Sequence, residues 1–297
     1  RKVALREPAH GDVIVETHYS GVSTGTERLF WNGEMPFFPG MGYPLVPGYE
    51  TVGVVVDKRA SNKLKIGDHV FVPGANCYEN EKGLFGASSS LLIASDEKLI
   101  KIDPELKAKG TLFALAATAR HAIAGLGNNL PSLIVGHGVL GRLLARLTIA
   151  AGGEPPIVWE SNPLRADNQT DYEVIDPEKD KSSDHESIYE ASGDISVLDK
   201  IIPKLKKNGE IVFAGFYSSP ISFSFPPAFI KEARFRISAE FNTEDINITR
   251  SLLETGALSL EGLITHEKKV NFSKSAYKQS FEDPECLKMV IDWREVA

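Results

Sequence analysis

A glycine-rich turn near the middle of the chain constrains the fold more than any other segment. The pattern GxGxxG occupies residues 136–141, directly after a short apolar run and before a longer one. In a strand–turn–helix unit, Gly136 permits the tight turn, Gly138 lets a pyrophosphate approach the backbone, and Gly141 lets the helix pack on the strand. The segment therefore predicts a dinucleotide-binding unit, and a glycine turn without a ligand is the alternative.

A carboxylate follows at the distance expected of such a unit. The next apolar run, 157–159, ends at Glu160, which lies 19 residues after Gly141. A carboxylate in this place hydrogen-bonds the ribose 2′-hydroxyl of NAD and disfavours the 2′-phosphate of NADP. Glu160 therefore predicts NAD as the cofactor, while the nearby Arg165 keeps NADP open.

Composition excludes several classes of protein. The chain has 297 residues and a net charge of −7, which is long enough for two domains and unlike a nucleic-acid binder. The sequence contains no secretory signal and no run of about 20 apolar residues. Two cysteines, Cys77 and Cys286, do not suggest a disulfide framework. We expect a cytoplasmic protein, with peripheral association with a membrane as a further option.

The apolar pattern changes along the chain. The first hundred residues contain β-branched runs punctuated by glycine and proline, whereas strands alternate with helices from about residue 110 onward. We predict a helix over 197–207, ending in three lysines, and a strand over 210–215. Alternating strands and helices imply a parallel sheet. The fold class is therefore α/β, with a β-rich first part and a doubly wound parallel sheet.

Several motifs resemble the medium-chain dehydrogenase/reductase family. They are SGVSTGTE at 20–27, PGYE at 47–50, KIGDHV at 65–70, GHGVLG at 136–141, EASG at 190–193 and the segment 209–215. The resemblance implies a GroES-like catalytic domain of residues 1–105 and 250–297 and a Rossmann domain of residues 106–249. It also implies cofactor contacts by Gly136, His137, Gly138, Val139, Leu140, Gly141, Glu160, Ala191, Gly215 and Phe216.

The places of the catalytic zinc ligands differ from the family pattern. Zinc-dependent members have a cysteine where this chain has Ser23 or Thr24, and a histidine where it has Tyr49. Glu50 remains, but a catalytic zinc needs about three good protein ligands, and neutral hydroxyls replace thiolate and imidazole poorly. The sequence therefore predicts that no metal is bound.

One branch of the family is more similar than the rest. The segments 25–31, 35–50, 71–75, 263–266 and 283–288 resemble enzymes that oxidise the 3-(1-hydroxyethyl) group of a bacteriochlorophyllide to 3-acetyl with NAD. The segment 30–43 is rich in aromatic side chains and broken by proline and glycine, as a pocket for a flat tetrapyrrole would be. The predicted substrate-binding residues are Phe30, Trp31, Phe37, Phe38 and Tyr43. A packed loop core or a dimer contact is the alternative.

Without zinc, side chains must take the proton of the alcohol. The resemblance places Ser23, Thr26, Tyr49 and Glu50 at the reactive centre, so these are the predicted catalytic residues. Two of them also have a purely structural alternative. Glu50 could brace the domain through hydrogen bonds, and Tyr49 could be a packed ring. Two rival functions remain: a zinc-free quinone or enone reductase, and a non-catalytic nicotinamide-binding protein. The family resemblance also predicts a homodimer.

Overall fold

The computed structural model describes residues 1–37, 39–59, 61–83, 85–124, 129–166 and 171–295. Phe38, one of the predicted substrate-binding residues, lies outside the described residues. The chain forms two compact units, one of Arg1–Ala114 with Leu260–Ala297 and the other of Leu115–Ser259. Among the described helices, none is long and apolar enough to cross a membrane.

The helices and strands follow one another along the whole chain. The strands are β1 (Asp12–Val22), β2 (Thr51–Asp57), β3 (His69–Val72), β4 (Leu91–Ser95), β5 (Ile100–Lys101), β6 (Leu133–Val135), β7 (Ile157–Trp159), β8 (Glu173–Ile175), β9 (His185–Glu190), β10 (Leu205–Phe213), β11 (Arg234–Ile237), β12 (His266–Lys269) and β13 (Met289–Asp292). The α-helices are α1 (Thr26–Asn32), α2 (Phe113–Ile123), α3 (Val139–Ala150), α4 (Leu198–Ile201), α5 (Phe225–Lys231), α6 (Thr243–Glu254) and α7 (Ser273–Glu282). Short 3-10 segments lie at Pro104–Leu112, Ile195–Val197, Ile202–Lys204 and Val270–Phe272.

The first unit is built on a mainly antiparallel sheet. Its described strands have the order β12-β13-β1-β2-β3-β5, and β4 also pairs with β1. β1 is long enough to pair with β2, β4 and β13 along its length. The β-branched side chains of Val13, Val15, Val55 and Val70 are buried together, because such residues pack well on a pleated surface. This core fixes the ends of β1 and β2, where predicted catalytic residues follow or precede the strands.

The second unit is built on a parallel sheet with the order β11-β10-β9-β6-β7-β8. Every described strand pair in it is parallel. The strand order reverses between β6 and β9, and doubly wound sheets bind ligands beyond the carboxyl ends of the strands at this point. The predicted fold class, a β-rich domain with a doubly wound parallel-sheet domain, is confirmed.

The predicted helix over 197–207 is wrong in its second half. The α-helix ends at Ile201, a 3-10 turn covers Ile202–Lys204, and β10 begins at Leu205, which pairs with His185. Pro203 explains the early end, since proline lacks the N–H that a continuing helix needs and clashes with the preceding turn. The lysines that follow, Lys206 and Lys207, therefore lie on an exposed part of a strand.

Candidate active site

The glycine turn joins β6 to α3 and leaves open space where a phosphate would lie. Gly136 has a φ of +99°, and a Cβ at Gly141 would lie 1.9 Å from the Gly136 carbonyl oxygen. A Cβ at Gly138, in contrast, would have no atom within 4 Å. Gly138 is also the N-cap of α3, and no side chain caps this helix end. The free N–H groups and the open approach fit the pyrophosphate of a dinucleotide.

Glu160 lies beside this turn, immediately after β7. One carboxylate oxygen accepts the His137 backbone N–H at 3.2 Å, and the other accepts the Asn162 N–H at 2.8 Å. The His137 imidazole is buried, with Nδ1 2.7 Å from the Arg165 carbonyl oxygen and Nε2 3.0 Å from the Tyr172 hydroxyl. The imidazole, the N–H and the carbonyl oxygen of His137 are therefore all used in contacts within the unit, the carbonyl oxygen accepting from Arg142 Nε at 3.2 Å.

The carboxyl ends of β9 and β10 carry the other predicted cofactor residues. Ala191 directly follows β9 and donates its N–H to the Val135 carbonyl oxygen at 2.9 Å, while Gly215 and Phe216 follow β10. Sequence reasoning did not assign a role to Glu190, which is fully buried and accepts hydrogen bonds from the Tyr217 hydroxyl and the Ser192 N–H. Burial raises the pKa of Glu190 to about 7. These groups line the sheet edge at which a doubly wound fold binds its ligand.

Three hydroxyl groups predicted to be catalytic are in contact in the first unit. The Tyr49 hydroxyl donates to Ser23 Oγ at 2.6 Å and lies 3.3 Å from Thr26 Oγ1. Ser23 follows β1, Thr26 begins α1 and Tyr49 precedes β2, and the antiparallel pairing of β1 with β2 brings these three positions together. Burial, and then the negative charge of Glu50, raises the pKa of Tyr49 far above its ordinary value. The phenol therefore stays neutral and acts as a hydrogen-bond donor.

Glu50, the fourth predicted catalytic residue, is held by a buried lysine. Lys288 Nζ lies 3.0 Å and 2.7 Å from the two carboxylate oxygens of Glu50, and neither side chain is exposed to solvent. A Cβ on Gly21 would lie 2.4 Å from Glu50 Oε2, so glycine there makes room for the ion pair. The pairing favours the bracing role of Glu50 that the sequence left open. Lys288 itself was not identified from the sequence.

Glu27 is a second buried carboxylate that sequence reasoning missed. It lies in the first turn of α1, directly after Thr26, and its side chain is 2 % exposed. Neither of its oxygens has a hydrogen-bond partner among the described residues. Burial, and then the charge of Glu50, raises the pKa of Glu27 to about 8. A buried polar group without a partner is costly, so such a group commonly has a function.

The aromatic segment after Thr26 is partly exposed and partly packed. Trp31 is 52 % exposed and stacks on Tyr277, with ring centroids 6.2 Å apart and planes inclined by 3°. Phe37 and Tyr43 are 83 % and 59 % exposed, respectively. Phe30 is buried instead, with its ring at an angle to that of Phe85. Trp31, Phe37 and Tyr43 thus have the exposure that a flat apolar ligand requires, whereas the placement of Phe30 favours packing.

The chemistry of the donors near the hydroxyl groups does not suit a transition metal. Within the described part of the chain, no group of three His, Cys, Asp or Glu side chains is arranged to hold a metal ion. The two cysteines are both buried and unbridged. Ser23 and Tyr49 offer neutral hydroxyls, and Glu50 already binds an ammonium group. The prediction that no metal is bound stays a prediction, and these donors support it.

Comparison with known proteins identifies the family. Residues 9–104 match the family described as the alcohol dehydrogenase GroES-like domain. The 2-desacetyl-2-hydroxyethyl bacteriochlorophyllide A dehydrogenase of Cereibacter sphaeroides is 56 % identical over 99 % of this chain and 94 % of its own. The protein of the same name from Rhodobacter capsulatus is 54 % identical over 98 % of this chain and 93 % of its own.

Solved structures of low sequence identity share the fold. The 2R,3R-butanediol dehydrogenase of Bacillus subtilis has a TM-score of 0.84 and 19 % identity, covering 99 % of this chain and 95 % of its own. An alcohol dehydrogenase of Escherichia coli CFT073, solved with NADH, has a TM-score of 0.81 and 18 % identity, covering 97 % of this chain and 94 % of its own. The protein is an oxidoreductase that acts on a CH–OH group with a nicotinamide cofactor. The identity of more than half the residues with these two relatives extends over nearly their full length. The chain therefore belongs to the family of 2-desacetyl-2-hydroxyethyl bacteriochlorophyllide A dehydrogenases, a branch of the medium-chain dehydrogenases/reductases.

Proposed function

We propose that this protein oxidises the 3-(1-hydroxyethyl) group of a bacteriochlorophyllide to 3-acetyl by hydride transfer to NAD, without zinc. The observation that carries the proposal is the identity of 56 % with a relative whose name gives a hydroxyethyl bacteriochlorophyllide as its substrate. The geometry of the first unit agrees, since neutral hydroxyls lie in the same segment as exposed aromatic side chains. In this proposal, the second unit binds the cofactor and the first unit handles the substrate and its proton.

The hydroxyl groups in contact supply the acid–base chemistry of the proposal. Bound NAD would accept the hydride of the carbinol carbon. The substrate hydroxyl would hydrogen-bond to Tyr49, whose own proton is already directed to Ser23 at 2.6 Å, so that a proton can move along the hydroxyls as the C=O bond forms. Thr26, 3.3 Å from the same phenol, offers a second acceptor.

The preference for NAD over NADP rests on Glu160. The negative charge of this carboxylate lies next to the N-terminus of α3, where an additional phosphate would be repelled. Steady-state kinetics with both cofactors on the wild type and on Glu160→Ala test the assignment. We expect the wild type to prefer NAD and the variant to lose most of that preference. A wild type that preferred NADP would show the role of Glu160 to be wrong.

The substrate surface in this proposal consists of exposed aromatic rings. The side chains of Trp31, Phe37 and Tyr43 expose apolar surface to water, and a cluster of exposed apolar surface is typical of a binding site. An aromatic ring stacks well on a flat macrocycle, and the contact between Trp31 and Tyr277 would hold the indole in one orientation.

Absorption spectroscopy with the pigment tests the proposed reaction directly. With a 3-(1-hydroxyethyl) bacteriochlorophyllide and NAD, we expect a shift of the macrocycle bands together with formation of NADH, and no reaction with the 3-vinyl analogue that lacks the hydroxyl. Activity and zinc content are measured before and after treatment with a chelator, and neither should change. Binding without turnover would favour a non-catalytic protein, and no spectral change would favour a quinone or enone reductase. Zinc in stoichiometric amount would contradict the zinc-free part of the proposal.

A homodimer is the expected assembly. In the second unit, β11 is at the end of the described sheet, and its Ile237 is exposed together with Phe229 and Ile230 of α5. Exposed apolar side chains at the edge of a sheet are unfavourable in a monomer, and an edge strand can pair with a second copy. Light scattering should give a dimer for the wild type and a monomer for Ile237→Lys. Ile66→Lys, which changes an exposed isoleucine of the first unit, is the matched control and should remain dimeric.

A further inference from the structure

Glu27 is a carboxylate built into the turn that holds the hydroxyl groups. Its backbone N–H donates to the Ser23 carbonyl oxygen at 3.1 Å, and the Thr26 N–H donates to Ser23 Oγ at 3.3 Å. The same turn therefore carries Ser23, Thr26 and Glu27. The Glu27 side chain points into the first unit, where only 2 % of its surface reaches solvent.

The charges around Glu27 leave it without a counter-ion. Tyr49 and Glu50 face it from the segment before β2, Tyr277 from α7, and Lys288 from the segment before β13. The Lys288 ammonium contacts both oxygens of Glu50, so its charge is already compensated. The Tyr277 hydroxyl is close enough to influence the pKa of Glu27, but it does not form a hydrogen bond of normal geometry with it. Burial and the neighbouring carboxylate together raise that pKa to about 8.

The hydroxyl groups that face the substrate cannot store the proton of the alcohol. Tyr49 is neutral, since burial raises its pKa far above the ordinary value. Ser23 and Thr26 are aliphatic hydroxyls, which pass a proton on but do not hold a second one at neutral pH. Glu50 is already paired with the Lys288 side chain. Glu27, in the same turn as Ser23 and Thr26, has a pKa of about 8 and can therefore change its protonation state near neutral pH.

We propose that the Glu27 carboxylate is the final acceptor of the proton that the substrate alcohol loses, and that it receives this proton through Tyr49 and Ser23. The inference rests on the proposed function. As the C–H bond breaks, its electron pair leaves as hydride to NAD, and the C=O bond forms. The hydroxyl proton passes to the Tyr49 oxygen, the Tyr49 proton to the Ser23 oxygen, and the Ser23 proton on to Glu27, whose backbone N–H donates to the Ser23 carbonyl oxygen in the same turn. Because Glu27 acts through other groups, it is a positioning residue and does not touch the substrate.

The pH dependence of Glu27→Gln tests this inference. For the wild type, we expect the kcat of alcohol oxidation to rise with pH and to level off above about pH 8, as the carboxylate becomes able to accept a proton. Glu27→Gln should show no such rise and should be about 10²-fold slower at high pH. Glu27→Asp keeps a carboxylate and should keep the rise. Glu97→Gln, an exposed glutamate of the first unit between β4 and β5, is the matched control and should behave as the wild type.

Two kinetic results would overturn the inference. One is a Glu27→Gln variant with the wild-type pH profile. The other is a variant that is slower by the same factor at every pH, because that result indicates a structural role. Glu190 in the second unit also has a pKa within this range, but it is present in every variant and cannot cause a difference between them.

Infrared difference spectroscopy of the enzyme without substrate separates this inference from the proposed function. The wild type should show the C=O stretch of a buried carboxylic acid that disappears as the pH rises through about 8, and Glu27→Gln should lack that band. An enzyme with this band that does not oxidise the pigment contradicts the proposed reaction, while the protonation of Glu27 stands. An active enzyme that lacks the band contradicts the inference alone.

Discussion

Replacing Glu27 by glutamine should change how the free energy of unfolding depends on pH. The carboxyl has an ordinary pKa of 4.5 and a pKa of about 8 in the folded protein, so the folded state binds its proton more tightly. Between these values the folded state holds more protons than the unfolded state, and the stability of the wild type falls as the pH rises. Below the lower value both states are protonated, and above the higher value both are ionised.

Glutamine cannot ionise, so the variant should lack this loss of stability. The difference in unfolding free energy between Glu27→Gln and the wild type should grow by about 1.4 kcal/mol for each pH unit in this window. Over the full interval from 4.5 to about 8, the change amounts to about 5 kcal/mol in favour of the variant. Equilibrium unfolding in guanidinium chloride at several pH values measures the difference. Glu97→Gln, whose carboxylate is exposed, should show no such trend. A difference for Glu27→Gln that did not vary with pH would refute the reasoning.

Three further substitutions test other parts of the molecule. Lys288→Met removes the cation that holds Glu50 and should reduce the unfolding free energy by about 3–5 kcal/mol, and Glu50→Gln in the same chain should restore much of it. Tyr49→Phe should reduce the rate of oxidation by about 10²–10⁴-fold and leave the Kd of NADH unchanged, as measured by single-turnover kinetics and fluorescence titration. Gly141→Ala would place a Cβ 1.9 Å from the Gly136 carbonyl oxygen, so α3 must shift at a cost of about 1–3 kcal/mol and NADH binding should weaken in the same titration.

The dinucleotide-binding part of the fold could be predicted because its determinants are local. The glycine turn, the apolar run before it and the helix after it lie within about 20 residues, and each glycine meets a steric demand of its own neighbours. The wrong helix over 197–207 shows the opposite case. Its apolar spacing is helical, but Pro203 and the pairing of Leu205 with His185 decide the structure. Strand pairing of this kind depends on residues distant in sequence, and periodicity does not report it.

The buried charges of the site could not be predicted, since they depend on contacts between distant segments. Lys288 and Glu50 are 238 residues apart, and neither segment carries a local pattern that points to the other. Glu27 did offer one signal. It lies three residues before Phe30 on α1, so helical periodicity places both on the same face, and the structure buries both. A charged residue on the apolar face of a short helix is therefore a feature worth noting in a sequence.

The charges beside the hydroxyl groups of the first unit give a physical reason for the proposed absence of zinc. Two carboxylates, Glu27 and Glu50, are buried beside the hydroxyl groups, and the ammonium group of Lys288 neutralises Glu50. A proton on Glu27 neutralises the second carboxylate, so the described cluster is neutral without a divalent ion. A divalent ion bound beside Ser23 and Tyr49 would lie near the Lys288 ammonium and compete with it for Glu50, and both effects would weaken metal binding.

The proton on Glu27 can leave and return during a reaction, which a structural counter-ion such as Lys288 cannot do. The same burial that makes Glu27 costly to ionise therefore brings its pKa close to the range in which a proton acceptor works best.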